Sequence, residues 1–198
     1  KLELQAALFE SNPELGLVHC GVDFEGTGVA IDGMAGSVAG HMLRLDRRVI
    51  VSQSSSVMVP RRVADEVGVF DVRMRASEDW DFCYRVAARH RTGFVPEVLV
   101  RHARHAAGLQ NNIAAMEHGM LLAFEKAFAD PAVQSLRRHS YGRLHRILAG
   151  SYFVQHNWSA FVRHALRSIR WDWRNLGYFA AYPLRLMRRA RSRATPPA

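Results

Sequence analysis

EDWDFCYRVAARHRTGFVPEVLV, residues 78–100, reads as a helix running into a strand. Glu78, Asp79 and Asp81 cluster where a first helical turn would lie, and the positive end of a helix dipole favours negative charge there. Phe82, Val86 and Ala87 then fall near one face, predicting a helix over 78–90. Phe94 to Val100 is an apolar run of strand length. Its Pro96 predicts an edge or a bulge, because proline offers no N–H to a ladder.

The same alternation continues on both sides. Upstream, Arg61–Val67 reads as a short helix stopped by Gly68, and the β-branched run Val49–Val59 as a buried strand. Residues 25–40, with five glycines, read as a loop; no strand-to-helix unit surrounds them, so they are not a dinucleotide fingerprint. Leu15–Val22 predicts another strand. Leu2, Leu4, Ala7 and Leu8 predict a first helix ending near Ser11-Asn12-Pro13. Downstream, Asn111–Phe128 reads as a long helix, and the pattern is helical from Leu136 onward with a break at Pro183. Strands alternating with helices define an α/β domain, here residues 1–130, followed by an α-helical extension over 131–198.

The 198 residues fit one domain with an appendage, and 48% hydrophobic content is enough for a core. No run of 18 apolar residues predicts a transmembrane helix. The opening KLELQAALFE resembles the middle of a charged helix rather than a signal peptide, and the first residue is not Met, so we expect the chain to be cut from something longer. Cys20 and Cys83 make no disulfide framework and fit a reducing compartment. Charge is uneven. Residues 1–130 carry 14 Lys/Arg against 17 Asp/Glu, whereas 131–198 carry 13 Arg against Asp172 alone, so the net of +9 comes from the tail.

Between Ser52 and His105 stand, in order, the serine-flanked run SSSVMVPRR, Gly68-Val69-Phe70-Asp71, the pair Glu78-Asp79 opening a helix, Arg85, and RHARH with His102 and His105. This ordered set resembles the second half of the inverting family 2 glycosyltransferases of the GT-A fold, over residues 1–128. The resemblance implies a partial GT-A fold lacking its N-terminal half. It also implies a non-processive transferase of hexosyltransferase type, moving a sugar from a nucleotide-sugar donor to a hydroxyl on a saccharide, lipid-linked or protein acceptor, as in cell-surface polysaccharide biosynthesis.

Inversion needs a carboxylate to take the acceptor proton and a cation to neutralise the departing diphosphate. By resemblance Asp79 is the general base and Glu78 its supporting acid. Trp80, Phe70, Asp71 and Arg85 contact substrate, and His105 touches metal or diphosphate. Mg²⁺ or Mn²⁺ would find its main ligands in the missing N-terminal half. Lys1-Leu2-Glu3-Leu4-Gln5 matches the helix that follows the family's metal motif, so the cut is expected a few residues after that motif. The two acids also suit a helix dipole without any catalysis, and Trp80 suits a core as well as an acceptor wall. Asp79-Trp80-Asp81 imitates a metal-binding D-x-D, but it opens a helix instead of ending a strand, so Asp81 reads as structural.

The tail mixes arginine with aromatics, including Tyr152, Trp158, Phe161 and Trp171, and Ile147, Leu148, Phe161, Ala165, Leu166 and Ile169 recur at helical spacing. Packing on the domain is one reading; attachment to an anionic membrane, with Arg188, Arg189, Arg191 and Arg193 facing lipid, is the other. Arg167-Ser168-Ile169-Arg170-Trp171 only superficially matches the Q-x-x-R-W of processive synthases. The expected location is cytoplasmic, with peripheral attachment at the inner membrane face under the second reading. The rival functions are a non-catalytic carbohydrate-binding or scaffold protein and a basic membrane- or nucleic-acid-binding module. Nucleic acid is not expected, because no recognised binding motif is present.

Overall fold

The apolar run at Leu15 becomes the central strand of a computed structural model that describes residues 1–103 and 112–181. The chain divides into two compact units, Lys1–Leu136 and Arg137–Ala198. The first is mixed α/β and the second, where described, is helical.

In the first unit, helix α1 (Leu2–Ser11) leads into strand β1 (Leu15–Phe24). β1 turns at Phe24–Thr27 into the short strand β2 (Gly28–Ala30). Helices α2 (Ala39–Leu43), α3 (Arg61–Val67) and α4 (Glu78–Ala87) precede strand β3 (Arg91–His102). Helix α5 (Ile113–Ala127) and a 3₁₀ turn over Pro131–Leu136 complete it. The sheet order is β2-β1-β3, with β1 antiparallel to β2 and parallel to β3. Every residue from Leu15 to Val22 is buried, as expected of a central strand covered on both faces. Leu15, Val18, Cys20 and Val95 form one core cluster with Leu8, Phe9 and Leu99, and Val22, Ala30 and Val51 a second with Phe24 and Phe94; Val100 packs against both.

Pro96 does both things predicted of it. β3 is an edge strand, and the register jumps from Cys20↔Val95 to Gly21↔Val98 across Pro96-Glu97. Helix α3 stops at Gly68, whose φ of +80° lies in the left-handed region glycine tolerates.

Two expectations fail. Residues 25–40 are not one loop, since they contain β2, a bridge from Gly36 to Thr92 and the start of α2. Val49–Val59 is not a strand. Val49, Ile50 and Val51 are buried as a strand's would be, but Ser52 turns at φ +51°. The Ser56 hydroxyl donates to the carbonyls of Val51 and Ser52, so local bonds compete with the ladder. Only Met58 pairs, bridging to Val18. Gln5, fully buried in α1, ties this turn to the sheet by donating to Ser56 O at 2.8 Å and Val18 O at 3.1 Å.

The second unit contains α6 (Arg137–Val154), α7 (Trp158–Trp171) and α8 (Asn175–Ala180). Helices α6 and α7 form an antiparallel hairpin. Ser168 Oγ donates to Gly142 O at 2.7 Å, His145 meets His164 at 3.0 Å, and Trp171 stacks on Tyr141. Asn157 caps α7 by accepting from Ala160 N. Among the described residues no helix is long and apolar enough to cross a membrane. Pro183 and Arg188–Arg193 lie outside the described residues.

Candidate active site

Helix α4 opens on a strained turn. Ser77, its N-cap, sits at φ +64°, ψ +13°, a left-handed conformation costing a non-glycine residue about 1–2 kcal/mol. What holds it is α5. Gly119 lies so close that a Cβ there would meet Ala76 O at 1.9 Å and Ser77 Cβ at 3.3 Å. The long helix thus presses its backbone onto the turn that presents Glu78 and Asp79.

The two acids have different surroundings. Asp79 Oδ1 accepts from Trp80 N at 2.7 Å. Burial pushes the Asp79 carboxyl above the ordinary carboxylate range, and the neighbouring Glu78 charge adds to the rise. Glu78 Oε2 is buried with no hydrogen-bond partner among the described residues. A buried carboxylate oxygen without a donor is a place where a ligand hydroxyl or water can bond. Together they offer a proton acceptor and an unsatisfied oxygen on one helical turn.

Asp81, two residues on, faces inward. It accepts from Arg85 Nε at 2.9 Å and Lys126 Nζ at 2.8 Å. Lys126 also reaches Asp71 Oδ2 at 3.2 Å, so one ammonium ties α5 to α4 and to the 68–71 turn. The structural reading of Asp81 agrees with this, and the D-x-D likeness is only sequential.

Three residues expected at substrate are engaged elsewhere. Asp71 is held by Arg73, through both its backbone and guanidinium, and by Lys126, which keep its carboxyl well below the usual range. Arg85, besides pairing with Asp81, donates to Val67 O, Gly68 O and Val69 O, closing the C-terminal end of α3. Trp80 is core, only 9% exposed, stacked on Tyr84 at 5.5 Å and tilted against Phe124 at 5.7 Å. All three side chains thus make contacts within the fold.

Phe70 is different. It rests edge-on against Phe82 at 5.3 Å yet is half exposed, between the exposed Val69 and Val72. His102 ends β3 beside the Phe24 ring, and His105 lies outside the described residues. Among the described residues no group of three or more His, Cys, Asp or Glu could hold a metal. Glu78 and Asp79 alone do not make a Mg²⁺ or Mn²⁺ site, which needs more oxygen ligands. Both thiols are free and buried, with Cys83 pushed far up by burial, so neither is an activated nucleophile.

Ser77, Gly119 and Lys126 were not singled out from the sequence. Only Lys126 left a trace, as one of two lysines in an arginine-rich chain, where a compact ammonium bridges two carboxylates. No family model, no curated protein and no solved structure matches this chain.

Proposed function

We propose that this chain is the acceptor-side portion of an inverting, GT-A-type glycosyltransferase that adds one sugar to a hydroxyl acceptor. The reading is carried by the Glu78-Asp79 pair, held on a strained turn with one carboxyl raised by burial and one oxygen left unsatisfied. Asp79 accepts the acceptor hydroxyl's proton as that oxygen bonds to the anomeric carbon. The bond from that carbon to the diphosphate breaks, and its electron pair leaves with the diphosphate. A raised carboxyl pKa makes the carboxylate a stronger base, which suits this role. Glu78 Oε2 accepts a second acceptor hydroxyl and orients it. Phe70 supplies an exposed apolar ring for a sugar face. A Mg²⁺ or Mn²⁺ ion would take its main ligands from elsewhere, since no group of three or more candidate ligands stands among the described residues.

The test is donor turnover by the full-length protein containing this chain, over a panel of nucleotide-sugars, against Asp79→Asn. The variant should lose about 10²–10⁴-fold in kcat while still binding nucleotide, the range for removing a general base. Retained turnover in the variant removes Asp79 from the mechanism. No donor binding by wild type removes the transferase reading. Saccharide binding without turnover would then favour a carbohydrate-binding role, for which the exposed Phe70 ring is the supporting observation.

A further inference from the structure

Helix α7 packs Phe161 and Trp171 on Phe153 and Tyr141 of α6, and sets Trp158 edge-on to Phe153, yet leaves Val162 and Leu166 turned outward. Ala160, His164 and Ser168 are buried, and His164 and Ser168 contact His145 and Gly142 of α6. At about 100° per residue these three span one narrow arc of the helix. Trp158, Val162, Leu166 and Ile169 fall on a separate arc. Trp158 is 53% exposed, Val162 51% and Leu166 63%, although a helix in a water-soluble hairpin ordinarily turns such a stripe inward. Arg163, Arg167 and Arg170 occupy the arc beside it, all exposed. Past the helix end, the exposed Trp173 and Leu176 add to the apolar surface, and Arg174 to the charge. The only acid in residues 131–198 is Asp172, which is half-buried and accepts from Arg174 N.

We propose that α7 is an interfacial helix, seating the Trp158-Val162-Leu166 stripe in the surface of an anionic phospholipid membrane with its arginine band among the headgroups. The pairing of an apolar stripe, a tryptophan at its edge and a purely cationic flank is what such a surface complements. A second copy of the chain would bring two arginine bands together. A nucleic acid would match the arginines but leave Val162 and Leu166 exposed. The proposal rests on α7 and the residues that directly follow it, and is independent of sugar transfer.

Vesicle flotation of the 198-residue chain tests it, using phosphatidylcholine vesicles with and without phosphatidylglycerol. Wild type should float with the anionic vesicles, with a blue shift of tryptophan emission, and should be released by salt. Val162→Gln with Leu166→Gln should lose at least about tenfold in affinity. Arg163→Gln, Arg167→Gln and Arg170→Gln together should lose on the order of a hundredfold, at about fivefold per arginine. All five side chains are exposed, and unchanged circular dichroism and melting temperature would verify that the variants fold. Equal recovery on neutral vesicles, no flotation of wild type, or variants floating like wild type each overturns the proposal. So does a dimer in sedimentation that the Val162/Leu166 variant disperses, because the stripe would then be a self-association surface.

Discussion

His19 shows what one buried ring demands. It is fully buried in β1, donates from Nε2 to Met34 O at 2.8 Å and accepts at Nδ1 from Val51 N at 3.3 Å. Only the neutral tautomer satisfies both neighbours, and burial holds its pKa down to about 4, against the Met34 bond that raises it. In the unfolded chain it titrates near 6.5, so the unfolded state takes the proton first. Its contribution is therefore complete above pH 6.5 and is lost as pH falls towards 4, by on the order of 3 kcal/mol over that window. Urea midpoints at pH 7 and pH 4.5 should separate for wild type more than for His19→Gln. Equal separations would show that carboxylates alone set the acid slope. Asp79 runs the other way. Its folded carboxyl is raised by burial, so stability falls as pH rises above the ordinary carboxyl range. Asp79→Asn should accordingly raise the melting temperature at neutral pH even as it abolishes the proposed base.

Among elements, the contact of α5 with the turn before α4 decides the site. Gly119→Ala adds a methyl where Ala76 O stands 1.9 Å away, so backbone must move. The helix gains up to about 1 kcal/mol in propensity but meets an overpacking cost of about 1–3 kcal/mol or more. A net loss of about 1–2 kcal/mol is expected, together with loss of the proposed transfer, because Ser77 and Asp79 shift with the turn. Gly150→Ala in α6 is the control. A Cβ there meets nothing within 4 Å, and the change should stabilise by about 0.5–1 kcal/mol. Denaturation midpoints that move the same way for both would count against the close approach at Gly119. Much at this scale was legible. The acids at 78–81 marked the start of α4, and Pro96 marked a bulged edge. The run at 49–59 was misread because its β-branched composition is a strand's, while Ser52 and Ser56 divert the backbone locally.

Over the whole molecule, charge is the dominant asymmetry, with Asp172 the sole acid among 13 arginines after residue 130. Such self-repulsion destabilises a compact state and is screened by salt. Thermal melts from 0.05 to 0.5 M NaCl should show the helical unit gaining about 4–8 °C, equivalent to about 1 kcal/mol for a unit of about 60 residues. A melt unmoved by salt would mean that the arginines are spaced widely enough not to interact. The sequence by itself determined the alternation of helices and strands, the passage into an all-helical basic region, and the acid pair that opens a helix. Those properties are written in periodicity and composition, which are local. Only the tertiary structure decided the fates of three neighbouring residues. Asp79 accepts from the backbone of its neighbour Trp80, Trp80 enters the core, and Asp81 is paired with Lys126, 45 positions along the chain. Adjacent residues on a helix point about 100° apart. The partners that Trp80 and Asp81 meet on α5 come from a distant segment whose approach local pattern does not record.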